Sequence, residues 1–307
     1  MALDPGLRST ATPAGEAAMS PLLAPPRRRG AAVLSVLLEN KLALAGMVVL
    51  VLIVGFCFVG PLFYHTDQIS SNLAIAGSPP SSAHPLGTDN VGYDELGRLM
   101  AGGQSSIEIG FAAAALAGIF GVLWGAVSGF FGGLVDSLMM RVVDALLAIP
   151  VLFVLLLMAA IVKVNAVNLT LVVAFFAWLV PARLIRGETL SLRTREYVQA
   201  VKGMGGGAPR SIFLHVIPNA IGTIIVNITF QVADAILVLA ALGYLGFGIP
   251  PPAANWGAML SQGVTYLYAG YWWLIYPVGG LIILTVMSLN LIGDALRDAF
   301  DVRLQRR

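Results

Sequence analysis

Charge is scarce in this sequence of 307 residues: Asp, Glu, Lys and Arg together make up 11%, against about 25% in soluble domains. With a hydrophobic share of 58% and a mean hydropathy of +0.85, this excludes a water-soluble globule and a disordered chain. Cysteine is nearly absent. Cys57 stands alone, so no intrachain disulfide and no cysteine-rich zinc site can form. Histidine is limited to His65, His84 and His215. No His-Glu-x-x-His helix and no Gly-x-Ser-x-Gly elbow occurs, and Gly203-Met-Gly-Gly-Gly lacks the Lys-Ser/Thr of a P-loop and reads as a hinge. These absences argue against an ATPase, a metalloprotease or a serine hydrolase. A net charge of +2 offers no basic field for nucleic acid.

What is there is an all-α membrane protein. A bilayer core about 30 Å thick needs roughly 20 apolar residues per helix. Charge-free runs of that length, with the Phe247–Trp256 stretch and its three prolines breaking the longest, predict six spans near 42–64, 107–130, 138–162, 167–186, 218–242 and 272–292. Sixteen of the eighteen Lys and Arg residues fall in the amino-terminal tail, the second-to-third turn, the 187–217 region with its flank, and the carboxyl tail; only Arg98 and Lys163 fall on the other side. That bias predicts cytoplasmic termini. The organisation expected is a disordered cytoplasmic tail over 1–37, whose Arg27-Arg28-Arg29 suits lipid headgroups; a first span with an extracytoplasmic segment to 106; a five-helix core over 107–296; and a cytoplasmic tail over 297–307.

Two connections are long, 65–106 outside and 187–217 inside, and long connections are where function concentrates. In the inner one, Thr194 is the expected N-cap of a short amphipathic helix carrying Glu196, Tyr197, Val198, Ala200, Val201 and Met204, stopped by the glycines that follow. Such a helix needs a surface to rest on. A second helix is expected from Pro209 to Pro218. Within the spans, Asp234 sits mid-helix in the fifth, and Arg141 and Asp144 are spaced for an i, i+3 ion pair. Gly46, Gly110, Gly118, Gly121, Gly125, Gly129, Gly132 and Gly133 read as helix-packing positions.

Four blocks carry a family resemblance. Glu196-Tyr-Val-Gln-Ala-Val with Gly205 and His215-Val-Ile-Pro-Asn219 resembles the cytoplasmic loop of binding-protein-dependent ABC importer permeases. His84-Pro-Leu-Gly-Thr-Asp-Asn90, Ala241-Leu-Gly-Tyr-Leu-Gly-Phe-Gly248 with Asn255-Trp-Gly, and Asn290-Leu-Ile-Gly-Asp-Ala-Leu-Arg-Asp-Ala-Phe-Asp301 are similar to signatures of the oligopeptide/dipeptide subfamily, second ("C") type. The match runs from about Leu38 to Arg303.

The resemblance implies a type I importer (MetI-like) fold that pairs with a second, similar permease. It implies two ATP-binding subunits, holding ATP and Mg, at the cytoplasmic face, and an extracytoplasmic binding protein that delivers a peptide. No cofactor is implied for this chain itself. Glu196, Tyr197, Gln199, Ala200 and Gly205 are then the coupling residues, with Pro218 and Asn219 fixing entry into the fifth span, and Asp234 is a candidate for the substrate pathway, facing a peptide amino group or simply bonded to a neighbouring helix. The chain departs from the family where Glu-Ala-Ala becomes Gln199-Ala200-Val201, where an acidic residue becomes Leu239, and where two outer arginines become Tyr93 and Gln104. The alternatives are an ABC permease for nickel complexes or glutathione, and a secondary transporter driven by an ion gradient. The latter would carry more intramembrane acids and paired broken helices.

Overall fold

The computed structural model describes residues 39–305, with side chains as far as residue 300. The readings made for the 1–37 tail lie outside the described residues. Among these the chain is helical, with one isolated bridge, Thr88 to Asp94, in place of any strand.

Helix α1 (Lys41–Phe58) starts where Asn40 accepts from the N–H groups of Leu42 and Ala43. Helix α2 (Glu95–Phe131) runs 37 residues, about 55 Å at 1.5 Å per residue. It therefore starts twelve residues before the expected span and stands well clear of a bilayer core. Two further spans are bent. Helices α3 (Gly133–Leu147) and α4 (Val151–Ile161) meet at 81°, because Pro150 has no N–H to continue the ladder. Helices α5 (Ala166–Ala177) and α6 (Leu179–Leu192) meet at 41°, where Pro181 leaves the Ala177 carbonyl without its helical donor. After α7 (Glu196–Gly203) and α8 (Ala208–Ser211), a wide π turn over Ile212–Val216 leads through Ile217–Asn219 into α9 (Ile221–Leu242). Helix α10 (Trp256–Tyr266) lies in the outer loop, and α11 (Tyr276–Gln305) carries the expected carboxyl tail onward as helix.

Four stretches are long and apolar enough to cross a membrane unbroken: Lys41–Phe58, Glu95–Phe131, Ile221–Phe247 and Trp272–Phe300. Counting each bent pair as one span gives the six expected.

The centre of the bundle is α2, and its glycines decide what it touches. A Cβ on Gly121, Gly125 or Gly129 would meet the backbone of α6 and the turn before it, at 2.7 Å from Trp178 O, 2.3 Å from Ala182 O and 2.8 Å from Arg186 O. On another face, Gly110 and Gly118 receive Ile236 and Ile228 of α9. Small residues let helix backbones approach closely where lipid offers no hydrophobic drive for association. The sequence reading of these glycines as packing positions therefore stands, as it does for Gly46 against Ser288 O; Gly132 and Gly133 are instead the turn between α2 and α3, with φ of +67° and +55°.

Two local expectations are corrected. Asp144 pairs with Arg183 of α6 rather than with Arg141, since a cross-helix partner lies beside it near the bend. Thr194 does not cap α7: its hydroxyl donates back to Ser191 O at 2.9 Å, and Arg195 holds the extended backbone of the cap position. Nearby, Arg186 bonds both carboxylate oxygens of Asp136, which also accepts from Ser128. This ties α3, α6 and α2 together at one end.

Candidate functional site

The inner connection folds as a two-part platform. Val198 is the buried anchor of α7 and packs with Phe130, Ile185, Leu192, Ile212 and Val216. Glu196, Tyr197, Gln199, Ala200 and Met204 are exposed on the other side. Ala200 lies about 200° around the helix from Val198, at 100° per residue, so the smallest side chain sits in the middle of the outward face. Helix α7 is fixed by three contacts. Arg193, at the joint with α6, donates to the Gly129 carbonyl at 3.0 Å and the Phe130 carbonyl at 3.4 Å, the free end of α2. Gln199 donates to Arg193 O at 2.8 Å. The Lys202 ammonium lies 4.5 Å over the Phe130 ring. The Gln199 donor, read from the sequence as facing a partner, thus serves this chain's own loop.

The reversal after α7 turns on Gly205, whose φ is +80° with open space around the position of a Cβ. A side chain there meets no atom and still costs about 1–2 kcal/mol of backbone strain. Gly205→Val is expected to impair transport while Gly205→Asn, which tolerates φ > 0, retains most of it; equal uptake rates for the two variants would remove the conformational role. Tyr197 approaches the His215 ring at 6.4 Å between centroids, and Asn219 Nδ2 donates to His215 O at 2.6 Å. Pro218 and Asn219 do lie at the entry to α9, both exposed.

Asp234 lies on α9 in a cavity of 340 Å³ lined by Leu155, Phe176, Asn227, Phe230 and Gln231 among others. It makes no hydrogen bond or ion pair with any described residue, so the bond to a neighbouring helix weighed as its packing role is not formed. Asp234 and the α7 platform belong to different parts of the molecule, and the shared element is α9 with its entry turn.

At the other end of α2, the His84-to-Asn90 block builds a cap. Asp94 is the N-cap and accepts from Gly97 N at 2.8 Å. Its second oxygen accepts from Tyr64 OH and contacts His84 Nδ1, each at 2.8 Å. Burial, reinforced by the Asp94 carboxylate, pushes the Tyr64 phenol up to about 12, so it remains a donor. The cap is stitched to the outer loop. Arg98 donates to Pro252 O at 2.7 Å, Trp256 to Leu99 O at 3.1 Å, Trp273 to Thr88 O at 3.2 Å and Asn90 to Tyr266 at 3.2 Å.

Residues 121–306 match the family model described as "Binding-protein-dependent transport system inner membrane component". Residues 30–80 match "N-terminal TM domain of oligopeptide transport permease C". The oligopeptide transport system permease protein OppC of Bacillus subtilis (strain 168) is 40% identical over 87% of this chain and 88% of its own length. The dipeptide transport system permease protein DppC of the same strain is 34% identical over 87% and 84%. The probable D,D-dipeptide transport system permease protein DdpC of Escherichia coli (strain K12) is 35% identical over 90% and 92%.

The chain belongs to the family of binding-protein-dependent transport system inner membrane components. It is a multi-pass inner-membrane permease, and the fold class expected from the sequence holds. The long-range partners within this permease escaped sequence reasoning. Arg193, Asp136, Arg186, Asp94 and Arg98 are charges in the sequence without evident partners, and Asp89 is part of a signature without a task. A capping carboxylate just before a helix is the one sequence signal that could have found Asp94.

Proposed function

We propose that this chain is the transmembrane subunit of an ATP-driven importer of di- and oligopeptides. A second, similar permease completes the translocation pathway. Two ATP-binding subunits, which hold the ATP and Mg, dock on the cytoplasmic side, and an extracytoplasmic binding protein delivers the peptide. Both termini are then cytoplasmic, as the Lys and Arg bias requires. The relatives' peptide-permease names support the substrate class.

The observation that carries the reading is the outward face of α7, exposed around Ala200 and anchored beneath by Val198. A partner that shifts α7 acts through Arg193 on the end of α2. Helix α2 is unbroken, and Arg98 near its other end holds the outer loop at Pro252. A single rod thus joins the ATPase side to the outer loop, which is what alternating access needs: two arrangements whose balance a partner biases. The test is an Ala200→Cys variant. Cys57 is buried, so a thiol crosslinker reports the new position alone. Crosslinking to an ATP-binding subunit that changes with ATP is expected; crosslinking to lipid or detergent only would overturn the docking role.

Asp234 is assigned to the pathway as a station for the peptide's amino group, since its carboxylate faces a cavity without a protein partner. A hydrogen bond to a charged group contributes about 1.5–3 kcal/mol, so Asp234→Asn is expected to slow uptake at least about tenfold. Unchanged uptake of every peptide tested would remove this residue from the pathway.

A further inference from the structure

Helix α9 carries a polar stripe inside the membrane. Asn227, Gln231 and Asp234 are spaced i, i+4 and i+7, which puts them within about 60° of one another at 100° per residue. All three line the 340 Å³ cavity, and the wall facing them is apolar, with Val151 and Leu155 of α4 and Val173 and Phe176 of α5. Neither the Asn227 nor the Gln231 carboxamide forms a hydrogen bond with any described residue. Gln231 is only 8% exposed, yet its amide atoms, like those of Asn227, are open to the cavity rather than sealed in the bundle.

An unpaired polar group within a span is costly, and a residue kept only for packing has no need of one. Three on one stripe, opposite an apolar wall, call for a partner that is polar along its length and comes from outside this chain. The Asp234 carboxylate accepts only, whereas each carboxamide offers two N–H donors and a carbonyl acceptor. The matching partner has a cationic end followed by alternating N–H and C=O groups, which is the backbone of a peptide. The spacing agrees. Along the axis Gln231 lies about 4.5 Å and Asn227 about 10.5 Å from Asp234, at 1.5 Å per residue. An extended chain advances about 3.3 Å per residue. With an ammonium at Asp234, the first peptide bond therefore falls beside Gln231 and the carbonyl end of the third residue beside Asn227.

We propose that Asp234, Gln231 and Asn227 form a track that binds the backbone of an extended peptide over about three residues, with the side chains against the apolar wall. Asn227 is the nearer of the three to the entry turn and the α7 platform, because α9 begins at Ile221. The peptide thus lies with its amino end toward the outer loop and its carboxyl end leading. The assignment rests on the reading of this chain as a peptide permease and extends the role of Asp234 from an ammonium station to the start of a site that measures length.

The test reconstitutes the complex with its partner subunits in liposomes and times uptake of dialanine and of trialanine, each at concentrations where the rate is proportional to peptide. Every variant's rate is divided by that of the unaltered permease for the same peptide, which cancels the binding protein's own preference. Asn227→Leu keeps the bulk and removes the carboxamide. It is expected to lower the trialanine-to-dialanine ratio about fivefold, the effect of one hydrogen bond, because dialanine ends short of this position. Gln231→Met should slow both peptides about fivefold and leave the ratio where it is. Equal slowing of the two peptides by Asn227→Leu, or no slowing of either peptide by either variant, overturns the track and leaves the peptide reading standing, since the unaltered complex still imports both. Loss of the second permease from the purified complex with either variant, or loss of the variant itself from the membrane, assigns the carboxamides to packing and likewise overturns the track. An unaltered complex that imports neither peptide overturns the peptide reading, and the track with it.

Discussion

Replacing Ala200 with arginine is expected to abolish peptide uptake while leaving the permease folded and inserted. The expectation follows from where Ala200 sits. It is exposed on α7, opposite the buried Val198, and no described side chain covers it. An added guanidinium therefore disturbs nothing in the bundle and meets only what docks on α7. A short helix whose outward face centres on alanine lets a partner surface come within van der Waals contact of the helix backbone, and a long side chain there holds the two apart. Hot spots near the centre of an interface cost about 2 kcal/mol or more when altered, and at such a position association of the ATP-binding subunits should weaken about 30-fold. Copurification of those subunits, read beside the amount of variant in the membrane, checks it. Normal copurification with normal uptake would show that α7 is only an interfacial cap of the bundle.

A change in the middle of α2 is expected to do the opposite, leaving no folded permease to test. Gly125→Leu places a Cβ 2.3 Å from the Ala182 carbonyl and 2.9 Å from Arg186 N. Both are backbone atoms of the neighbouring helix and cannot rotate away. The pair must separate, and with it the contacts of Gly121 with Trp178 O and of Gly129 with Arg186 O that continue the same stripe. Overpacking a well-packed interior costs about 1–3 kcal/mol and occasionally more. Here the clash with backbone places it at the upper end or beyond. Loss of the monodisperse species in detergent is the readout. Gly55→Ala in α1, where a Cβ meets nothing within 4 Å, should leave that species intact. Equal behaviour of the two variants would contradict the packing described for α2.

The number of spans, the packing glycines and the short inner helix were legible in the sequence because each rests on local arithmetic: run length, small residues at spacings of four, and an apolar pattern ended by glycine. Val198 and Gly205 were read in the places where the structure has them. The boundaries were less legible. Charge counting put the start of the second span at 107, since a membrane argument ends at the membrane, whereas α2 begins at Glu95 under an Asp94 cap. The bend after Leu147 was written in Pro150, and a run of apolar residues masked it. Partnerships across helices were not legible at all. Asp144 had Arg141 at a suitable spacing and took Arg183 instead. The Arg193 contact with Gly129 spans sixty-four positions, and no local rule reaches that far. The same holds for the cavity beside α9, where Asn227 and Gln231 face Leu155 and Phe176.

Reconstitution in liposomes tests the coupling of this permease to ATP hydrolysis most directly. The chain is assembled with its second permease, its ATP-binding subunits and its binding protein, and entry of a labelled peptide is followed with ATP and, separately, with an imposed proton gradient. Entry that requires ATP, ignores the gradient and disappears with Ala200→Arg is the expected result. Entry driven by the gradient without ATP, unaffected by Ala200→Arg, would contradict it.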